Sequence, residues 1–217
     1  MKINTVIWDW NGTLLNDLDL CVSTINKLLE KRRLPLLDNY SYKEAFSFPV
    51  KNYYEAIGFD FLKENFEIPA KEFINLYDNG VNDCSLHSSV NEVLAVFKKK
   101  GIRQFVLSAM KQTMLQQTME DKGILHYFEA IAGLKDHYAV SKIERGKQLI
   151  SEFDINREDG CIIGDTDHDF EVAKNLGIKC ILVADGHQSE QRLRSTGAKV
   201  VSSLDNLINN GFYDIFN

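Results

Sequence analysis

The sequence predicts an α/β protein, with a parallel sheet, helices on both faces of that sheet and an inserted all-helical segment. Short β-branched runs alternate with helical patterns, which is typical of right-handed βαβ units. Acidic residues directly follow two apolar runs, at Asp9 and Asp165. Between Pro35 and about Ser85 the pattern is helical, with no convincing strand. Together these three observations define the fold class.

The first predicted strand is the apolar run that ends at Trp8. A helix from Asn16 to Arg33 follows, because its apolar residues recur at helical spacing, and Pro35 ends it. The next stretch contains further helical patterns, separated by loops at Pro49 and Pro69. We therefore expect the chain to leave the sheet after its first strand and to return near residue 86.

From Ser89 onward the alternation of helices and strands resumes, and Gly101 stops the first helix. The predicted helices are 90–100, 112–122, 143–153 and 170–176, and the predicted strands are 103–107, 130–132, 161–163, 180–183 and a possible edge at 200–201. The sequence has no GxGxxG motif and no internal repeat, so a dinucleotide-binding fold loses support.

Composition limits the class of protein. A chain of 217 residues with 44% hydrophobic content can bury a core and has room for one domain plus an insert. Its net charge of −6 argues against binding to nucleic acid or to an anionic membrane. The 4 cysteines form no CxxC pair, and the first apolar stretch is too short for a signal peptide or a membrane span. We expect a cytoplasmic location.

Two acidic strand ends predict a shared metal site. Asp9 follows the run VIW, and Asp165 follows the run CIIG. Ligands of open parallel sheets bind beyond the carboxyl ends of the strands, so these distant residues are expected to converge there. Clustered carboxylates repel each other unless a cation lies between them, and Mg2+ prefers such hard oxygen ligands. An aspartate beside such an ion is able to attack phosphorus.

Simpler interpretations of the same residues remain open at this point. Asn11-Gly12 is a common hairpin turn, and Asp165, Thr166 and Asp169 are all suitable for the start of a helix. A calcium loop is excluded, because its sixth and twelfth positions require Gly and Glu, whereas DTDHD leads to Phe170 and Leu176.

Two further residues lie at the same predicted edge of the sheet. Ser108 follows the strand RQFVL, where its hydroxyl could bind a phosphate oxygen or cap the next helix. Lys142 precedes a helix and could supply the positive charge that a phosphoryl group beside several aspartates requires. Lys147 competes with Lys142 for that role.

Four motifs in this order carry a family resemblance: DWNGT with Asp9, LSA with Ser108, SKIERGK with Lys142, and IGDTDHD with Asp165 and Asp169. The chain resembles the haloacid dehalogenase superfamily, and within it the branch similar to phosphoglycolate phosphatases. The resemblance covers essentially the whole length. It implies a Rossmann-like catalytic core at 1–14 and 86–217 and a helical cap at 15–85 that sets specificity.

The resemblance also implies residue roles and partners. Asp9 would be the nucleophile, with catalytic roles for Asn11 and Lys142. The implied Mg2+ ligands are Asp9, the backbone carbonyl of Asn11, Asp165 and, as a supporting residue, Asp169. The implied substrate-binding residues are Gly12, Thr13, Ser108, Ala109 and Lys142. The expected substrate is a small phosphorylated metabolite, and the expected state is a monomer or a weak homodimer.

One departure from the family pattern concerns the proton carrier. Phosphatases of this superfamily usually have a second aspartate two positions after the nucleophile, and here that position is Asn11. An amide cannot shuttle a proton at neutral pH, and general acid–base catalysis is typically worth about 10²- to 10⁴-fold. We therefore expect slow hydrolysis of alkyl phosphates, or a preference for acyl and aryl phosphates, whose leaving groups need little protonation.

Three alternatives remain. The first motif also resembles that of phosphonoacetaldehyde hydrolases, in which a lysine of the cap forms a Schiff base, and Lys51 occupies a comparable part of the insert. A catalytically weak protein that binds a phosphorylated ligand is the second, and Asn11 is its support. A dehalogenase is the least favoured, because IGDTDHD retains a metal loop. His168 and His187 receive no assigned role, although His187 could donate a proton.

Overall fold

The computed structural model describes residues 3–134 and 141–209, in which a parallel sheet carries the fold. The strands are β1 (Thr5–Trp8), β2 (Leu15–Asn16), β3 (Ser85–Leu86), β4 (Arg103–Lys111), β5 (Ala130–Leu134), β6 (Gly160–Gly164), β7 (Lys179–Val183) and β8 (Lys199–Val201). Six of them form one sheet in the order β5-β4-β1-β6-β7-β8, and every pairing in it is parallel. Strand β1 therefore lies at the centre of the sheet, between β4 and β6.

The helices lie between the strands, as the alternating pattern predicts. They are α1 (Leu18–Lys31), α2 (Asn39–Ala45), α3 (Val50–Ala56), α4 (Glu67–Gly80), α5 (Val90–Lys99), α6 (Gln112–Asp121), α7 (Lys142–Glu152), α8 (Asp167–Leu176), α9 (Glu190–Ser195) and α10 (Asn206–Asn209). The predicted α/β class with its parallel sheet is confirmed. Helices α9 and α10 were not predicted from the sequence.

Alternate residues of β1 point to opposite faces of the sheet and enter two separate hydrophobic clusters. Val6 and Trp8 pack in one cluster with side chains of α5 and α6, such as Phe97. Ile7 packs in the other cluster with side chains of α7 and α8, such as Leu149. Successive residues of a strand face opposite ways, so this arrangement covers both faces of the sheet with helices.

Helices α1–α4, called here the helical insert, follow β1 and precede β4. Helix α1 packs against α4 and α2. The chain enters and leaves the insert through β2 and β3, which pair antiparallel with Leu15 opposite Leu86. These two-residue strands are too short to give a sequence pattern, and they were not predicted. The division into a core and a cap stays a prediction, and parts of the predicted core, at 1–2, 135–140 and 210–217, lie outside the described residues.

The end of β4 differs from the prediction. The strand continues to Lys111 instead of ending at Leu107, with a shift in its pairing to β5 between these two residues. Ser108 consequently lies within the strand, and α6 begins at Gln112 with Lys111 as its N-cap. The interpretation of Ser108 as a helix cap is therefore wrong.

No helix in the described part of the chain is long and apolar enough to cross a membrane.

Candidate active site

Strand order brings the two acidic strand ends together. Strands β1 and β6 are neighbours, with Trp8 opposite Ile163, so Asp9 and Asp165 follow at the same edge. The backbone N–H of Asp9 continues the pairing by donating to the carbonyl of Ile163 at 2.8 Å. The side chains of Asp9, Asp165 and Asp169 are all buried, and their nearest oxygen atoms lie within 4.8 Å of one another.

Lys142 joins two of these carboxylates. It is the first residue of α7, whose N-cap Ser141 accepts a hydrogen bond from the backbone of Glu144. The Lys142 Nζ atom lies 2.5 Å from Asp9 Oδ1 and 2.6 Å from Asp169 Oδ1. Lys147 instead lies on the exposed side of the same helix, paired with Glu144. The structure therefore brings Lys142 to the acidic cluster and excludes Lys147.

Asp165 is held by groups from two loops. Its Oδ1 accepts from the Thr13 hydroxyl at 2.8 Å, and its Oδ2 accepts from the backbone N–H of His187 at 2.7 Å. The backbone also passes very close on two sides, because a Cβ at Gly12 or Gly186 would lie 2.3 or 2.1 Å from Asp165 Oδ2. Gly12 has φ +74°, a conformation that favours glycine. Larger residues at these two positions would displace the carboxylate.

Asp169 links the helix start to the cluster. Thr166 is the N-cap of α8, and Thr166 and Asp169 form a reciprocal capping box. Asp169 Oδ2 accepts from the backbone N–H groups of Asp165 and Thr166 and from the Thr166 hydroxyl, at 2.7–3.1 Å. Its other oxygen faces Lys142. The helix-start interpretation is therefore correct for Thr166 and Asp169, whereas Asp165 precedes the N-cap and takes no part in the capping box.

The charges of this cluster do not balance. Burial raises the pKa of Asp9 and of Asp165 above the usual value, because each loses the solvation of its charged form. Burial acts in the same sense on Asp169, but Lys142 and the hydrogen bonds from Thr166 together outweigh it and lower the pKa of that carboxyl. The lysine supplies one positive charge against three carboxylates. A divalent cation would neutralise the remainder, and the all-oxygen donor set suits a hard ion.

Ser108 and Asn11 meet beside this cluster. Ser108 is fully buried, its Oγ lies 3.4 Å from Asn11 Oδ1, and it accepts from the backbone N–H of Met110 at 3.0 Å. Ala109, next in β4, is exposed. The predicted residues from the first two motifs are thus adjacent in space, as the strand order β4-β1 requires.

The amide of Asn11 is held by two residues that the sequence analysis missed. Its Nδ2 donates to Asp17 Oδ2 at 3.0 Å and to the Tyr77 hydroxyl at 2.6 Å. Asp17 is buried at the N-cap of α1, and Tyr77 lies on α4. An acid directly before a helical pattern was the available signal for Asp17, whereas nothing in the sequence distinguishes Tyr77 from a core aromatic residue.

His187 completes this buried network. Its Nε2 lies 3.1 Å from Asp17 Oδ1, and its Nδ1 lies 3.3 Å from the Tyr42 hydroxyl. Burial alone would lower the pKa of His187, but the carboxylates of Asp17, Asp165 and Asp9 together outweigh burial and raise it to about 9. Burial acts against the charged form of Asp17 too, yet His187, Tyr77 and Asn11 hold its pKa below the usual value. The pair is therefore charged at neutral pH.

Several residues considered in the sequence analysis lie elsewhere. Lys51 is exposed, with its Nζ 5.7 Å from the centre of the Phe61 ring. His168 stacks on Phe48 with ring centres 4.6 Å apart, and its Nδ1 faces Glu171. Within the described residues no recorded contact joins Lys51 or His168 to the three aspartates.

Comparison with known proteins identifies the class. The family model described as haloacid dehalogenase-like hydrolase matches residues 6–183, which is most of the chain. The chain therefore belongs to this family of hydrolases, and its relatives and structural neighbours include phosphatases. This agrees with the resemblance drawn from the four motifs.

Individual relatives are distant but match over most of their length. The chain is 23% identical over 193 residues to the pyrophosphatase PpaX of Bacillus cereus, covering 85% of this chain and 84% of that protein. It is 23% identical over 209 residues to the N-acetylmuramic acid 6-phosphate phosphatase of Pseudomonas putida, covering 93% and 92%. The crystal structure of a predicted phosphatase from Clostridium acetobutylicum superposes with a TM-score of 0.83 at 21% identity, covering 98% of this chain and 100% of that one.

Proposed function

We propose that this protein is a Mg2+-dependent phosphatase of small phosphorylated metabolites, similar to phosphoglycolate phosphatases, and that Asp9 carries the phosphoryl group. The observation that supports it best is the contact of Lys142 with Asp9 and Asp169 beside Asp165, all buried at the edge where β1 and β6 end. The four free cysteines suit the reducing cytoplasm that the sequence predicts.

In this proposal each residue has a distinct task. Asp9, the Asn11 carbonyl and Asp165 would hold Mg2+, with Asp169 supporting them. The ion supplies positive charge that draws the phosphoryl group toward the carboxylates. Lys142 and Ser108 would bind phosphoryl oxygens. The backbone at Gly12, Thr13 and Ala109 would line the same site. The Gly12 N–H already donates to Leu15 and Asp17, so the N–H groups of Thr13 and Ala109 would be the ones to meet the phosphoryl oxygens.

The reaction would proceed in two displacements. An oxygen of Asp9 attacks phosphorus, and the bond to the leaving-group oxygen breaks, which leaves an aspartyl phosphate. Water then attacks phosphorus, the bond to the Asp9 oxygen breaks, and inorganic phosphate leaves while the carboxylate is restored. Lys142 holds Asp9 in position for the first step, because its ammonium group fixes one carboxylate oxygen at 2.5 Å.

Asn11 affects the leaving group in this scheme. Its amide donates to Asp17 and Tyr77, so it is fixed in place but has no acidic proton to give. Substrates whose leaving group is stable as an anion are therefore favoured. Acyl and aryl phosphates fit that requirement, and so does diphosphate, the substrate named for the PpaX relatives.

A screen of phosphate release tests the proposal. We expect Mg2+-dependent release from acyl, aryl and alkyl phosphates and from diphosphate, with rates that fall as the basicity of the leaving group rises. In the wild-type protein, mass spectrometry should detect an acid-stable phosphoryl adduct. Asp9→Asn should abolish both this adduct and the release of phosphate. Asp19→Asn, which changes an exposed aspartate of α1, should leave both unchanged. Turnover by folded Asp9→Asn would overturn the role of Asp9.

The same screen and a trapping experiment test two of the three alternatives. A binding protein would release no phosphate from any substrate, yet small phosphates would raise its unfolding temperature. Cleavage of phosphonoacetaldehyde through Lys51 would be trapped by borohydride as a covalent adduct, and Lys51→Arg would prevent that adduct. A lysine that forms a Schiff base is commonly activated by desolvation in an apolar pocket. Lys51 is exposed, with its ammonium group over the Phe61 ring, and this position does not favour that role.

A further inference from the structure

A second cluster of metal-ligating side chains lies beside the three aspartates and includes sulfur and nitrogen atoms. Asp17, Cys21 and His187 are all buried, and their ligand atoms lie within 4.8 Å of one another. Asp17 and Cys21 lie one helical turn apart at the start of α1, and His187 comes from the loop after β7. We propose that Asp17, Cys21 and His187 form a binding site for a transition-metal ion of the Zn2+ type, distinct from the Mg2+ site.

The spacing of the ligand atoms fits such an ion. Zn2+ binds nitrogen and oxygen at about 2.0–2.2 Å and sulfur at about 2.3 Å, so ligand atoms in a tetrahedral site lie roughly 3.3–3.7 Å apart. One ligand atom from each of the three residues lies within 4.8 Å of the other two. His187 Nε2 is 3.1 Å from one carboxylate oxygen of Asp17, Oδ1, and Cys21 Sγ is 3.9 Å from the other, Oδ2. Small movements of the side chains would therefore complete the coordination. The Tyr77 hydroxyl, 2.6 Å from Asp17 Oδ2, offers a further oxygen.

The chemistry of the donors distinguishes this site from the first. Thiolate and imidazole ligands select Zn2+ and related ions, whereas Mg2+ prefers oxygen. The acidic cluster of Asp9, Asp165 and Asp169 offers oxygen alone. Binding would displace the proton of the Cys21 thiol and the proton of His187 into solvent, which leaves a thiolate and a neutral imidazole as ligands.

The surroundings of His187 resemble the outer shell of a metal-binding histidine. In such sites the second ring nitrogen usually bonds to a carboxylate, a carbonyl or water, which fixes the ring so that the other nitrogen faces the ion. Here the Tyr42 hydroxyl lies 3.3 Å from His187 Nδ1 and takes that part, so Nε2 faces Asp17. Tyr53, which packs on Tyr42, has a buried hydroxyl without a hydrogen-bond partner among the described residues.

The proposed ion would link two parts of the fold. Asp17 and Cys21 belong to the first helix of the insert, while His187 belongs to the sheet layer. An ion bound by all three would join the helical insert to the loop after β7, which contains His187. It would also fix Asp17, which holds the amide of Asn11, two positions after Asp9.

Cobalt spectroscopy tests the site directly. We expect protein that is free of transition metals and saturated with Mg2+ to bind one equivalent of Co2+, with the near-ultraviolet absorption of a thiolate–cobalt bond. Zn2+ should displace the Co2+. Cys21→Ser should abolish this band, whereas Cys84→Ser, which changes the half-buried cysteine after α4, should retain it. Because the acidic cluster contains no sulfur, an ion bound there cannot produce the band.

Two outcomes would overturn the proposal: no thiolate band in the wild-type protein, or a band that persists in folded Cys21→Ser. If Cys21→Ser does not fold, Tyr42→Phe gives the second measurement. Loss of an outer-shell partner weakens metal binding by about 10- to 100-fold, so its Zn2+ affinity should fall in that range. An unchanged affinity in folded Tyr42→Phe would contradict the site.

Discussion

At the scale of single residues, buried charge decides what the site tolerates. Lys142 is 7% exposed and contacts two buried carboxylates. Removing one partner of a buried ion pair leaves the other charge buried without compensation. This loss strongly destabilises the protein, even though the intact pair contributes little more than apolar packing would. Lys147 lies on the surface, and its ion pair with Glu144 is exposed to solvent. Such a pair contributes little to stability.

Lys142→Met should lower the free energy of unfolding by about 3–5 kcal/mol in the absence of Mg2+, because Asp9 and Asp169 lose their cation. Saturating Mg2+ should restore part of that loss by supplying the missing charge. Urea unfolding with and without Mg2+ measures both effects. Lys147→Met is the matched control on the same helix and should change stability by less than about 0.5 kcal/mol. Equal losses in the two variants would contradict this account.

The Asn11 position is coupled to Asp17, so a single substitution there does not isolate the missing acid. Asn11→Asp alone places two carboxylates in contact, since Asn11 Nδ2 lies 3.0 Å from Asp17 Oδ2. The double variant Asn11→Asp/Asp17→Asn exchanges amide and carboxylate and keeps the total charge. It should raise kcat/KM for alkyl phosphates by about 10²-fold or more, and much less for aryl phosphates.

Asp17→Asn alone is the control for that exchange, and it should bring no gain with either kind of substrate. Rates for both classes of phosphate, measured on variants whose circular dichroism matches the wild type, give the comparison. A double variant that hydrolyses alkyl phosphates no faster than the wild type would show that another group supplies the proton.

At the scale of elements, the start of α8 combines a structural and a chemical task. Thr166 caps the helix and donates its hydroxyl to Asp169, whose other oxygen contacts Lys142. A second capping box, formed by Asp38 and Ser41 at the start of α2, is exposed to solvent. Among the described residues, its hydrogen bonds join it to none of the three aspartates.

Thr166→Ala should therefore cost about 1 kcal/mol of stability through the lost cap and also weaken Mg2+ binding, because Asp169 loses a partner. Asp38→Ala should cost a similar amount of stability and leave Mg2+ affinity unchanged. Thermal unfolding and Mg2+ titration of the two variants separate the effects. If both variants bind Mg2+ like the wild type, the cap does not position the acidic cluster.

At the scale of the whole molecule, Arg192 connects the insert to the sheet layer. Its Nη1 donates to the carbonyls of Lys43, Glu44 and Phe46 at 2.5–3.1 Å, and its Nη2 lies 3.2 Å from Asp167 Oδ2. The end of α2 is thereby bound to the starts of α8 and α9. We expect this contact to control how readily the insert moves away from the site.

Arg192→Met should loosen α2 without unfolding the sheet. Hydrogen bonds from a charged donor contribute about 1.5–3 kcal/mol, so amide exchange in α2 should become about 10- to 100-fold faster. Arg194→Met, which removes an exposed pair with Glu190 in the same helix, serves as the control. Exchange in α2 that stays at the wild-type rate after Arg192→Met would mean that other contacts hold the insert.

The fold could largely be predicted from sequence, because periodicity reports which faces are buried. The alternation of strands and helices predicted the parallel sheet, and acids after apolar runs predicted where Asp9 and Asp165 would meet. The two-residue strands β2 and β3 were not predicted, because they contain too few residues to show a pattern. The extension of β4 beyond Leu107 was missed because a polar serine ends the apolar run.

Sequence by itself determined the fold class, the family and the residues that gather at the strand ends, because these depend on local pattern and on the order of motifs. Tertiary structure decided that Lys142, and not Lys147, contacts the acidic cluster, and it decided which residues surround Asn11. Asp17, Tyr77 and His187 approach one another from positions far apart in the chain. Contacts of that kind depend on how helices pack on the sheet, which no short-range periodicity records.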